Sequence, residues 1–99
     1  MTAQLELTDT LEKDVLPTLR YPHADVLTNA IEIDRRRRNA ERAASLGNNY
    51  QGKVDIYFQT ADGQCHRVYT TVWASSNEHL MLKSGTTLPV RAVVMFDFN

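Results

Sequence analysis

The second half of the chain, residues 53–98, constrains the fold most, because apolar and polar residues alternate through it in several short segments. Residues 54–58 read VDIYF, which is the pattern of a strand with one face in a core. The pair Asp62-Gly63 follows, and both residue types tolerate the positive φ of a tight hairpin turn. These features predict a compact antiparallel β-unit.

The longest strand-like run, residues 66–75, contains Val, Tyr, Thr and Trp but neither Gly nor Pro. Its length predicts a bent strand that serves both halves of a small barrel. Residues 79–83 predict the next strand, and Ser84-Gly85 predicts the turn after it. Pro89 lacks a backbone donor and therefore marks an edge or a short turn before the closing strand.

The first half of the chain predicts two helices. The first covers residues 9–16, because Leu11 and Val15 are apolar and four residues apart, and Pro17 stops the pattern. An irregular connector follows, since Pro22 pushes the residue before it away from the helical region.

The second predicted helix covers residues 29–46. Thr28 is a good N-cap, the segment contains no Gly or Pro, and Gly47 with Asn48 supplies the left-handed residue that commonly ends a helix. Its apolar stripe is thin and is interrupted by Arg37. We therefore expect this helix to lie on a surface, with small residues that allow close approach.

Several motifs resemble those of known proteins: a helix ending in LGN, then GKVDIYF, a DG turn, VYTTVWA, LMLKSG and LPVRAV. Together they resemble a family of small, single-domain bacterial proteins of unknown function, over about residues 19–98. The most specific pieces are TTVWA at 70–74 and LPV at 88–90. The resemblance implies a helix-plus-barrel fold and brings no assigned activity. More distantly, the β half is similar to the Sm-like barrels, which include RNA-binding rings and the Rho-inhibiting protein.

The chain departs from the Sm-type RNA binders at two motifs. Those proteins carry a glycine in the bent second strand and an Arg-Gly pair before the last strand, where this chain has Thr71-Val72 and Arg91-Ala92. No nucleotide-binding residue is therefore carried over. The predicted fold is α+β: helices at about 9–16 and 29–46 packed on a five-stranded, strongly bent antiparallel Sm-like small β-barrel at about 53–98.

Four consecutive arginines, residues 35–38, form the most conspicuous charged run. Consecutive helical residues point in directions about 100° apart, so the run does not make one basic face. Acids four residues away predict three ion pairs: Glu32 with Arg36, Asp34 with Arg38, and Arg37 with Glu41. The run is interpreted as a solvated, self-paired helix surface, with an anion-binding or partner-docking face as the alternative.

Composition limits the classes of protein. Ninety-nine residues make one domain, with a helical front at 1–47 and a barrel at 48–99. The single cysteine, Cys65, excludes an internal disulfide and favours a cytoplasmic setting. We expect no secretory signal and no membrane association, because no basic region precedes an apolar run and no segment has the about 20 apolar residues of a span. The net charge of −1 disfavours a dedicated nucleic-acid binder.

No combination of residues predicts catalysis. Cys65 and His66 are neighbours on a strand and face opposite sides, so the imidazole is poorly placed to activate the thiol. The four glycines stand in separate turns, and no metal spacing occurs. We expect a protein that is not an enzyme and that has no cofactor and no metal. Trp73, the one tryptophan, is interpreted as a core or inter-element anchor, with an exposed binding residue as the alternative.

Two functions remain open. The favoured one is a non-catalytic protein-interaction or regulatory module, whose edge strands pair with an unidentified protein or with a second copy. The alternative is an RNA- or DNA-binding small barrel that uses basic and tyrosine side chains. The residues predicted for such a binding surface are Arg35, Arg42, Lys53, Tyr57, Arg67 and Tyr69.

Overall fold

The structure, a computed structural model, describes residues 10–98. One long helix, α1 (Ala30–Tyr50), separates a short N-terminal strand from the main β region. The strands are β1 (Thr10–Leu11), β2 (Val54–Gln59), β3 (Cys65–Thr70), β4 (Val72–Ser75), β5 (His79–Leu82), β6 (Thr87–Pro89) and β7 (Val93–Asp97). Short 3-10 helices occupy Lys13–Thr18, Lys83–Gly85 and Val90–Ala92.

The strands form two sheets on which α1 packs. One sheet has the order β1-β3-β2-β7 and the other the order β4-β5-β6. All pairs are antiparallel except β1 with β3. The predicted α+β class is thereby confirmed. Pairing among the described strands does not close the two sheets into one barrel. The run predicted as one bent strand is divided at Thr71, so that β3 belongs to one sheet and β4 to the other.

The core lies between the inner faces of the two sheets and α1. The alternation in β2 has its predicted effect, since Val54, Ile56 and Phe58 are fully buried. The other fully buried large side chains come from the remaining strands and one N-terminal leucine: Leu16, Val68, Val72, Leu80, Leu82, Leu88 and Val93. The predicted turns are also present, with positive φ at Gly63 in the hairpin and at Gly85 after β5.

The helix predicted over residues 9–16 is wrong for the described part of that range; position 9 lies outside it. Thr10 and Leu11 pair with β3 as a strand, and a 3-10 turn follows at Lys13–Thr18 with Pro17 inside it. Only Leu16 of this turn is buried, so the segment has one anchoring side chain and no helical stripe. The Tyr21 hydroxyl fixes the turn by donating to the Leu16 carbonyl at 2.7 Å.

The second predicted helix is present but has different ends. Asn29, not Thr28, is the N-cap, and its side-chain oxygen accepts from the amides of Ile31 and Glu32. The helix runs beyond Gly47 to Tyr50 and ends at Gln51, which takes the left-handed conformation. Gly47 has another role, because a Cβ there would lie 2.1 Å from the Val72 carbonyl oxygen. Glycine therefore lets the helix backbone touch β4.

Candidate functional site

The buried stripe of α1 contains an arginine. Its members are Arg36, Ala40, Ala43 and Gly47, spaced four, three and four residues apart. The side chain of Arg36 is only 4 % exposed, so the residue that interrupts the apolar stripe is Arg36 and not Arg37. A buried guanidinium requires a counter-charge.

Asp25, in the connector before α1, supplies that charge. Its two carboxylate oxygens accept from the two terminal nitrogens of Arg36 at 2.8 and 2.6 Å. Arg36 also donates to the Val93 carbonyl at 2.9 Å, so one side chain joins the connector, α1 and β7. The hydrogen bond from Arg36 lowers the pKa of Asp25, and the Leu27 amide adds to this effect. The predicted pairing of Arg36 with Glu32 is wrong, because a tertiary partner replaces the local one.

The neighbouring arginines behave as predicted. Arg37 pairs with Glu41 and also with Asp34, and Arg38 pairs with Asp34. All these side chains are half-exposed or more, so the pairs contribute little to stability. The four-arginine run therefore has one buried structural member and three solvated ones.

A cavity lies on each side of Arg36. The first, about 390 Å³, opens between α1 and the β4–β5 turn and is lined by polar residues that include Asp25, Arg37, Glu41 and Asn77. The second, about 260 Å³, opens between α1 and β7. We name this second cavity the β7 groove. Its lining residues are Leu27, Glu32, Arg35, Arg36, Asn39, Val94, Met95 and Phe96.

Four of the six predicted surface residues lie together on the outer face of the four-stranded sheet. Tyr57 is opposite Arg67 across β2 and β3, and the Lys53 ammonium lies 5.6 Å from the centre of the Tyr69 ring. Residues directly opposite one another share a face, which adds Asp55, Asp97 and Met95. We name this surface the sheet face. It consists of Lys53, Asp55, Tyr57, Arg67, Tyr69, Met95 and Asp97.

The basic residues of the sheet face already contact protein groups. Arg67 donates twice to the Thr10 hydroxyl, at 3.0 and 2.6 Å, and lies 3.6 Å from an Asp55 carboxylate oxygen. The face carries two basic and two acidic side chains, so it is balanced in charge. Its aromatic and thioether groups remain accessible, since Tyr69 and Met95 are both exposed.

The other two predicted residues, Arg35 and Arg42, lie on the flank of α1 beside β7. The Arg42 guanidinium stacks 4.1 Å above the Phe98 ring, and Arg35 lines the β7 groove. Met95 lines the same groove and also belongs to the sheet face, opposite Tyr57. The six predicted residues therefore form two groups that meet at Met95.

The interpretation of Trp73 as a core residue is wrong. Its side chain is 42 % exposed, because side chains alternate along β4, so that Val72 points into the core and Trp73 outwards. A register shift between Val72 and Ala74 leaves Ala74 exposed as well. Ala74 is opposite Met81, which is also exposed. These three residues, Trp73, Ala74 and Met81, form a second apolar patch, on the outer face of the three-stranded sheet.

The polar side chains of the β2–β3 hairpin stabilise its turn by contacts with one another. The Thr60 hydroxyl donates to Asp62 at 2.5 Å and lies 3.1 Å from Nε2 of His66. The Thr60 hydroxyl lowers the pKa of Asp62, while burial raises the pKa of the Cys65 thiol. Within residues 10–98, no three His, Cys, Asp or Glu side chains lie together as a metal site requires. Nor does any helix in the described part of the chain combine the length and apolar composition needed to cross a membrane.

The fold and these surfaces define an α+β protein in which one helix lies across two small sheets beside an open edge strand. No protein-family model, no curated protein and no solved structure matches the chain. The functional argument therefore rests on the surfaces themselves.

Proposed function

We propose that the protein is a non-catalytic protein-interaction module that binds its partner through the sheet face. One observation carries this proposal: Tyr69 and Met95 expose large apolar side chains on a surface whose basic and acidic groups balance. Aromatic residues, Met and Arg are the residue types enriched in protein–protein interfaces.

The charge balance favours a protein partner over a nucleic acid. Binding to a phosphate backbone depends on an excess of basic groups that release counterions. On the sheet face, Asp55 lies beside Arg67, and Asp97 lies opposite Asp55. The RNA- or DNA-binding alternative therefore lacks an excess of basic groups there.

The proposal also covers how the strands are arranged in the fold. We propose that the strands from β2 to β7 make a five-stranded Sm-like small barrel, in which β3 and β4 are two halves of one bent strand. Its support is the single residue, Thr71, between β3 and β4, together with the orders β7-β2-β3 and β4-β5-β6. The barrel stays open between β6 and β7, which do not pair. Uninterrupted strong sequential Hα–HN NOEs through Thr71 test the bent strand, and a break there would leave two separate sheets. The cytoplasmic location, favoured by the single cysteine, is also part of the proposal.

Affinity capture from the source organism with matched tyrosine variants tests the function. The bait proteins are the wild type, Tyr69→Ser and Tyr50→Ser; Tyr50 is an exposed tyrosine at the end of α1 that is not a member of the sheet face. We expect one protein to be retained by the wild type and by Tyr50→Ser and to be lost by Tyr69→Ser. Equal retention by all three baits, or no retained protein, would overturn the proposal.

A titration with a single-stranded oligonucleotide tests the alternative. We expect no binding at physiological salt. Saturable binding that weakens steeply as salt rises would replace the protein partner with a nucleic acid.

A further inference from the structure

We propose that the β7 groove binds an extended, acidic peptide segment of a protein partner, which adds as a strand beside β7. This inference rests on the proposed function and names the chemistry of the partner. The argument uses the sheet edge, the floor of the groove and the arginines along its wall.

The edge is available for pairing. β7 is the last strand of the four-stranded sheet, and an edge strand presents unpaired N–H and C=O groups that a peptide strand can bond. The other edges are less suited. β1 has two residues. β6 has three, contains Pro89 and packs against the 3-10 helix Lys13–Thr18, and the edge strand β4 packs against α1.

The floor of the groove is apolar. Leu27, Val94 and Phe96 line it, and Met95 continues it onto the sheet face. Alternate side chains of an added strand point to opposite sides, so one set contacts this floor while the other faces α1 and solvent.

The wall of the groove provides arginines without acidic partners. Arg36, Arg37 and Arg38 each pair with a carboxylate, whereas Arg35 has none among residues 10–98. Arg42 contacts the ring of Phe98, and Glu32 is the one acid that lines the groove. Arg35 and Arg42 are seven residues apart on one flank of α1, which is about 10 Å along the helix. This distance corresponds to roughly three residues of extended strand.

Only even spacings place two side chains on the same side of an extended strand. The edge, the floor and the arginines together therefore specify an extended peptide with two acids on the side that faces α1, two or four residues apart.

Fluorescence anisotropy with a synthetic peptide tests the inference. The probe is fluorescein-labelled Thr-Glu-Val-Thr-Val-Glu-Val-Thr with blocked ends, in which both Glu residues lie on one side of the strand and the three Val residues on the other. The comparison peptides carry Lys in place of both Glu residues, or N-methyl groups on alternate amides. We expect the probe to bind, and both comparison peptides to bind at least about tenfold more weakly, because one lacks the charge and the other the backbone donors.

Matched protein variants test whether the probe binds in the β7 groove. Arg35→Glu should weaken probe binding about tenfold, whereas Arg37→Glu, the same change about 200° further round α1 and outside the β7 groove, should weaken it less than about twofold. Both residues are exposed, so both variants should keep the wild-type circular dichroism spectrum. In NMR spectra, the probe should shift amides of Val93–Asp97. No saturable binding up to about 1 mM, equal binding of the lysine peptide, or equal losses in the two variants would overturn the inference.

The two proposals can fail separately. A captured partner that is lost by Tyr69→Ser but retained by Arg35→Glu would support the proposed function and contradict peptide binding in the β7 groove. Specific probe binding without a Tyr69-dependent partner would support the groove and remove the sheet face.

Discussion

The two halves of α1 are attached to the sheets by different means. In the C-terminal half, Ala43 and Gly47 bring the helix backbone into contact with β4, and the Asn48 side chain donates to the Trp73 carbonyl at 2.9 Å. In the N-terminal half, Arg36 reaches Asp25 and Val93 across a space that keeps a cavity on either side.

Because of this difference in packing, one half of α1 contributes mainly to stability and the other half lies beside the surfaces proposed for binding. Small residues let one half pack directly against β4. The other half is held by a long charged side chain, which spans a gap and leaves grooves beside it. We infer that the C-terminal half, which we name the closed half, does not tolerate larger side chains. The N-terminal half, which we name the open half, is sensitive to changes of charge and pH and adjoins the binding surfaces.

Among the variants that test this comparison, Asp25→Ala should cause the largest loss in the free energy of unfolding. Asp25→Ala leaves the Arg36 guanidinium buried without its counter-charge, and we expect a loss of about 3–5 kcal/mol in the free energy of unfolding. Arg36→Met should cost less, about 1–3 kcal/mol, because the side chain of Asp25 is 34 % exposed and regains water. Urea denaturation measures both values. An equal or larger loss for Arg36→Met would contradict this asymmetry.

A methyl group at Gly47 should disturb the closed half. Gly47→Ala places a Cβ 2.1 Å from the Val72 carbonyl oxygen, and we expect a loss of about 1–3 kcal/mol. The loss should appear although alanine improves helix propensity by about 1 kcal/mol. Ser45→Ala, on the exposed side of the same helix, serves as the control and should change stability by less than about 0.5 kcal/mol. A stabilised Gly47→Ala protein would show that the helix does not touch β4.

Acid should weaken the open half alone. Arg36 lowers the pKa of Asp25 in the folded protein, so the stabilisation is complete above the unfolded pKa of about 3.9 and is lost as pH falls through the lower folded value. The difference in unfolding free energy between wild type and Asp25→Asn should be constant from about pH 7 to 5 and shrink below about pH 4. The difference for Gly47→Ala should stay constant. Parallel pH profiles for both variants would contradict the electrostatic account.

Truncation of Trp73 should have the smallest effect. The exposed side chain loses little burial in Trp73→Ala, and we expect a cost of about 1 kcal/mol. Phe58→Ala, which removes a fully buried ring, should cost about 3–5 kcal/mol in the same thermal or urea experiment. Similar losses for the two variants would place Trp73 in the core after all.

Local patterns predicted the parts of the fold that depend on neighbours in the chain. Alternation in residues 54–58 identified the buried face of β2, and the Gly63 turn followed from its dipeptide. The pairs Arg37–Glu41 and Arg38–Asp34 followed from helical spacing. In each case the partners lie within a few residues, so the sequence contains the relevant geometry.

The remaining features depend on distant contacts. Asp25 and Arg36 are eleven residues apart and on different elements, so no helical spacing relates them. The exposure of Ala74 depends on a register shift with β5, and Gly47 is explained only by the position of Val72. One signal was available in the sequence: Asp25 is the one acid among residues 19–29, a segment that also contains several apolar residues, which indicates a partner for it.

Site-specific photo-crosslinking in cells tests the proposed interaction most directly. Met95 belongs to both the sheet face and the β7 groove, while Met81 belongs to the second patch; their exposures, 41 % and 44 %, are nearly equal. A photoreactive benzoylphenylalanine is placed at one position or the other, and products are separated after irradiation. The account predicts a discrete crosslinked protein from position 95 and none from position 81. A product from position 81 alone, or from neither position, would contradict it.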